Sequence, residues 1–281
     1  MPYKTILSYV DEPERCTSQL ALARTLAERH SAHLVGLHVI PNIQVYAAAD
    51  TAAISVEIYE AERKSAEDVA RRMKEAFVAA MKGAGCTSEW RSVEEGAEPI
   101  GDRIVEHGLV ADLVITGQID PDIRSPRRVG TPEAVLMHGG RPLLMVPYAG
   151  SFGEAGRHVA IAWNATGEAA RAAFDALPFL MAADRVTILT IGYGGGYEPP
   201  DIASGHALAA SLERHGVKAD VSASAAGDIP VGEMILSRIA DLAADILVMG
   251  GYGHSRLSEF LFGGATRDIL REMTVPVLIA H

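Results

Sequence analysis

The sequence predicts an α/β chain built as two tandem doubly wound sandwiches, each with a five-stranded parallel sheet and helices on both faces. Three observations carry this. Short aliphatic runs alternate with helical patterns along the chain, the same order of elements occurs twice, and one strand segment is nearly duplicated: Ala111-Asp-Leu-Val-Ile-Thr-Gly117 against Ala244-Asp-Ile-Leu-Val-Met-Gly250. Strands that are apolar throughout and alternate with helices belong to parallel sheets covered on both faces. Right-handed crossovers then wind each set into a sandwich.

The elements follow in order. A first strand, Tyr3–Asp11, has its counterpart at 157–164, each ending in an acidic or amide residue. Helical patterns at 13–30 and 167–182 come next, then strands at 33–40 and 185–191. The halves diverge here: a long helix near 57–82 stands against a glycine run from Gly192 to Tyr197 and a shorter helix near 201–215. Strands near 87–93 and 217–223 precede Pro99 and Pro230, each opening a helix whose first turn does not need the missing N–H. The duplicated strands follow, and each half closes with a helix and a strand, at 141–147 and 275–280. The glycine-rich stretch from Tyr148 to Gly156 separates a domain at 1–148 from one at 156–281.

Composition limits the functional classes. The chain has 281 residues and a formal net charge of −11, and an acidic surface repels nucleic acid. Arg124, Arg127 and Arg128 are the one close basic group, which suits a small anion or solvent rather than DNA. Apolar runs fall short of the roughly 18–20 residues that span a bilayer. The first residues read as a strand rather than a signal peptide, and Cys16 and Cys86 as free thiols in a reducing cytoplasm. The histidines have no metal-ligand spacing: His30 and His33 read as solvated or helix-capping, His38 as a core residue.

A doubly wound sheet binds ligands at the carboxyl ends of its strands, where the strand order reverses. In the second half the loop there reads Gly250-Gly-Tyr-Gly253-His254-Ser255-Arg256, then Gly263-Gly264-Ala265-Thr266. Glycine allows close backbone approach to a ligand. Successive N–H groups form an anion-binding nest. A helix opening at Gly263-Gly264 would add its positive dipole end, which favours phosphate. His254, Ser255, Arg256 and Thr266 are further donors.

With these residues the chain resembles the universal stress protein family, specifically its tandem-domain members, over nearly its whole length. The family's ATP signature is Gly-x2-Gly-x9-Gly-(Ser/Thr), and Gly250, Gly253 and Gly263 match it. The resemblance implies ATP or a related adenine nucleotide, alone or with Mg2+, together with dimers and a role in stress survival. It places Ala162, Asn164 and the Ile191 backbone at the adenine, and Met249 and Gly250 at the ribose. Gly253, His254, Gly263, Gly264 and Ala265 fall at the phosphates. Gly264 stands where a hydroxyl residue is expected. In the first half the same frame runs Gly117, Asp120, Gly130, Thr131, with Asp11 and Val39 completing the site. Aspartate in place of the second glycine repels a triphosphate, so at most one nucleotide per chain is expected, in the second half.

Neither a P-loop, a dinucleotide fingerprint nor a nucleophile elbow is present. No general base stands at the loop, so the expected role is not enzymatic, with slow ATP hydrolysis at most. The competing reading is an interaction module with vestigial sites, binding a hydrophobic ligand or a protein at the apolar stretch Val45–Ile58. An enzyme of the wider adenine-nucleotide-binding superfamily lacks its pyrophosphatase loop here. Pairing of the two halves about a pseudo-twofold through their final strands, residues 142–147 and 275–280, is a further expectation, as is a homodimer.

Overall fold

The computed structural model describes residues 2–13, 15–42, 56–119, 131–192, 202–251 and 264–281. The calls on Gly253, His254, Ser255, Arg256, Gly263, Asp120, Gly130, the arginines at 124, 127 and 128, the glycine run at 193–196 and most of the 45–58 stretch lie outside the described residues.

The first half comprises β1 (Thr5–Tyr9), α1 (Cys16–His30), β2 (His33–Ile40), α2 (Val56–Met81), β3 (Ser88–Glu94), α3 (Ile100–Gly108), β4 (Leu113–Gly117), α4 (Thr131–His138) and β5 (Leu143–Val146). The second comprises β6 (His158–Ala162), α5 (Gly167–Asp175), α6 (Leu177–Leu180), β7 (Arg185–Gly192), α7 (Ile202–Glu213), β8 (Asp220–Ala225), α8 (Val231–Leu242), β9 (Ile246–Gly250), α9 (Gly264–Glu272) and β10 (Val277–Ala280). The helical pattern read over 167–182 is thus two helices. Pro178 supplies no N–H to the Phe174 carbonyl, which instead accepts from Ala176 N as α5 ends.

The strands form one ten-stranded sheet in the order β3-β2-β1-β4-β5-β10-β9-β6-β7-β8. Within each half every pairing is parallel, and the halves meet where β5 and β10 pair antiparallel, Leu144 opposite Leu278. The two sheets are therefore continuous, and so are their cores. One apolar layer, under α1, α2, α5, α6 and α7, runs from Ile6 and Leu26 through Leu144 and Leu278 to Phe179 and Leu212. The other, under α3, α4, α8 and α9, runs from Leu37 and Ile104 through Met145 and Ile279 to Ile239 and Ile269. Burial of aliphatic area of this kind stabilises by about 25 cal/mol per Å2.

The duplicated Ala-Asp pair has a structural reason. Asp112 accepts the N–H groups of Lys4 and Thr5 at 2.6 and 2.9 Å. Asp245 accepts those of Gly156, Arg157 and His158 at 3.0, 3.0 and 3.1 Å. Each carboxylate anchors the start of the central strand of its half, at the amino ends of the parallel strands. His30 departs from the solvated role: it is buried, edge-on to Tyr3 and Phe179 at 5.2 and 6.5 Å, and so packs across the two halves. His38 is buried in the core, its Nδ1 2.8 Å from the Val10 carbonyl. Among the described residues no helix is long and apolar enough to cross a membrane.

Candidate functional site

In the second half the strand order turns at β6 and β9, and the residues at that turn are adjacent. Ala162 stands opposite Met249 on one side and Leu189 on the other. Trp163 N continues the ladder to the Leu189 carbonyl at 2.8 Å. Met249 is 5% exposed and Ile191 9%, so their side chains face the core and only their backbones reach the edge. Because β9 and β10 are parallel, the connecting α9 begins at this same edge. Sequence reasoning therefore brings Ala162, Asn164, Ile191, Met249, Gly250, Gly264, Ala265 and Thr266 to one end of the sheet.

Asn164 is exposed and shapes its own loop. Its Oδ1 accepts from the Thr166 hydroxyl at 2.9 Å and the Thr166 N–H at 3.4 Å, across Ala165 at φ +56°. Thr166 in turn caps α5 by accepting from Ala169 N at 3.3 Å. Trp163, which the sequence reading passed over, sits between Ala162 and Asn164 with its indole N–H donated to Ser204 Oγ at 3.0 Å. Its position directly after a strand-end residue was the signal that could have found it.

The glycines of the frame divide by role. A Cβ on Gly250 would lie 2.5 Å from Ala169 N and 2.6 Å from the Glu168 carbonyl carbon, so the first turn of α5 requires glycine there. A Cβ on Gly264 would meet nothing within 4 Å among the described residues. At its other flank α9 rests on α8, where Gly232 lets Ala265 O and Asp268 Cβ come within 3.1 Å of the place a Cβ would take.

This contact sets the packing register between the closing helices of the two halves. In the first half, Gly101 makes the equivalent approach to Thr131 and Ala134. Thr131 is therefore matched by Ala265 rather than Gly264. The strands agree: Val114 stands opposite Leu143, whereas its counterpart Leu247 stands opposite Val277, so the connection is one residue longer in the second half. The extra residue falls between Gly250 and Ala265, which the spacing of the glycines did not register. The methyl of Ala265 thus replaces the hydroxyl of Thr131. Thr266, offered as a compensating donor, is 6% exposed and matches Pro132.

In the first half, Asp11 and Gly117 line a crevice with Arg15, Gln19, Gln118 and Tyr148. Gln19 is buried, its amide donated to Ser8 Oγ at 3.0 Å and Tyr9 O at 2.6 Å. The Arg15 guanidinium lies over the Tyr148 ring at 5.4 Å and its Nε 3.7 Å from Glu12. Val39 is 1% exposed and does not line this crevice. Thr131 is likewise buried, against Gly101.

Comparison with known proteins fits this geometry. The sequence profile of the universal stress protein family matches residues 164–281. A universal stress protein of Synechocystis is 33% identical over 102 residues, spanning 35% of this chain and 33% of that relative. The chain thus covers about a third of that relative's length. The crystal structure of a universal stress protein from Archaeoglobus fulgidus matches with a TM-score of 0.70 at 15% identity, over 98% of this chain and 95% of that one. A structure described as a putative universal stress protein from Pseudomonas aeruginosa matches with a TM-score of 0.57 at 16% identity, over 99% and 93%. At such identities these two likenesses speak for the fold. Residues 164–281 therefore match the universal stress protein family, and the chain as a whole shares the α/β fold of those solved structures.

Proposed function

We propose that the second half binds ATP or a related adenine nucleotide, one per chain, and that this binding serves a stress response rather than a metabolic reaction. The observation that supports it is the glycine frame from Gly250 to Gly264, placed between the end of β9 and the start of α9 where the strand order turns. Residues at that edge suit the parts of such a ligand. Asn164, exposed beside Ala162, and the Ile191 backbone face an adenine. The Met249–Gly250 backbone lies along a ribose. Backbone N–H groups of Gly264, Ala265 and the glycines at 253 and 263 answer the phosphates, whose charge the helix dipole favours. Loss of the signature hydroxyl at Ala265 removes one side-chain contact and leaves its N–H.

The reading is of a binding protein; slow hydrolysis at most accompanies it, and Mg2+ accompanies the triphosphate. The domains are those at 1–148 and 156–281, and a homodimer is part of the same reading. Calorimetry with ATP on the wild type and on Gly253→Asp, which copies Asp120 of the first half, tests it. Saturable binding to the wild type at one site, weakened in the variant, is the expected result. Equal affinity in the two proteins would remove the site from the second half. Trp163 offers an independent optical readout, since the chain has two tryptophans and the other, Trp90, lies on β3 of the first half.

A further inference from the structure

We infer that Gln118, a residue of the first half, is a positioning residue for the phosphate end of the second half's site, acting through the carboxyl end of α9. The inference rests on the nucleotide reading above. Gln118 follows Gly117 at the end of β4 and is 8% exposed. Its Nε2 donates to two carbonyls of the other half, Leu270 O and Arg271 O, each at 2.9 Å. Its Oε1 accepts from Tyr148 N at 3.2 Å, and its own N–H donates to Val146 O at 2.7 Å. Every polar group of the carboxamide is therefore used, and both of its hydrogens are spent on α9.

Those two carbonyls belong to the last turn of a helix, where no intrahelical N–H is available to them. Nine residues make α9, and within it Thr266 and Ile269 are its buried side chains. Ile269 and Met273 hold its inner face on the core, the clasp by Gln118 ties its carboxyl end to the first half, and Ala265 against Gly232 fixes its start. A helix behaves as a rigid rod over this length. Freeing one end turns it about the Gly232 contact and changes the aim of the first-turn N–H groups.

The clasp has no mirror image. The counterpart of Gln118 in the second half is Gly251, which has no side chain to offer α4. A Cβ there would lie 2.8 Å from Leu136 Cδ2, so α4 packs directly on the strand end instead. The link therefore runs in one direction, from the first half to the helix of the second.

The test uses the full chain with Gln118→Met, which keeps the volume and removes the donors, and Gln118→Glu, which turns an acceptor toward the two carbonyls. Affinities for ATP and for adenosine are measured by calorimetry, and amide exchange of 264–272 by mass spectrometry. Affinity for ATP should fall by about two- to thirty-fold, the range of mutational coupling between sites, and that for adenosine by less than about two-fold. Amides of α9 should exchange faster while those of α5 and α8 are unchanged. Equal loss for both ligands, with exchange raised throughout, would mean general loosening and overturn the inference. Unaltered exchange in α9 overturns it whether or not the wild type binds ATP. Failure of the wild type to bind either ligand would instead sink the nucleotide reading on its own.

Discussion

Gly250 is the place where packing and ligand binding make opposite predictions. A Cβ there would stand 2.5 Å from Ala169 N, 2.6 Å from Glu168 C and 2.9 Å from Glu168 Cβ. Ordinary contact begins near 3.4 Å, so α5 would have to withdraw by about 0.9 Å. The obstructing atoms are backbone, which no rotamer change relieves. Ala169, Ala172 and Ala173 are 0–1% exposed on the same helix, and withdrawal opens a gap beneath all three. Overpacking of this kind costs about 1–3 kcal/mol. Replacing glycine also removes unfolded-chain entropy, which offsets about 0.4–1 kcal/mol of it. A net loss of about 1.3 kcal/mol, the difference of the midpoints of these terms, is expected for Gly250→Ala in urea denaturation, with an unchanged m-value. Gly264→Ala is the control: among the described residues nothing lies within 4 Å of its Cβ, and it should leave stability unchanged or slightly raised. If Gly250→Ala proves as stable as the wild type and loses only nucleotide affinity, the packing argument for this glycine is wrong.

Other substitutions test other parts of the account. Asp245→Ala strands three N–H groups at the entry of β6 and should cost about 1–3 kcal/mol by chemical denaturation, with Asp245→Asn intermediate because it keeps one acceptor oxygen. Thr166→Ala removes the cap of α5 and should lower stability by about 1 kcal/mol. Burial, aided by Arg29, Lys4 and the N-terminus, lowers the His30 pKa to about 4. The unfolded chain, with histidine near 6.5, then binds the proton more readily, so stability should fall as pH drops from 6.5 toward 4. In His30→Phe, which packs on Tyr3 and Phe179 without titrating, thermal melts over that window should be flatter; an identical slope would count against His30.

Much of the fold was legible because its cause is local. Apolar runs, helix periodicity and the two Pro-x-Gly starts appear in the chain order, and the repeat itself made each half a check on the other. The strand ends followed from topology rules, so Ala162, Asn164, Met249 and Gly250 could be gathered at one edge without coordinates. The break between α5 and α6 was written in Pro178 and was read past. His30 was misread because its partners, Tyr3 and Phe179, are distant in sequence, and burial is a property of neighbours rather than of position along a helix.

What the sequence by itself determined is the repeat, the α/β layering and which residues end the central strands of each half, since each depends on residue order and short-range periodicity. Tertiary structure alone decided three things. It set the true counterpart of Thr131 at Ala265, because helix contacts, not glycine spacing, define register. It assigned Gly250 to the approach of α5, because a missing Cβ has meaning only beside the atoms that would meet it. And it joined the halves through β5, β10 and Gln118, because these contacts link residues more than 130 positions apart.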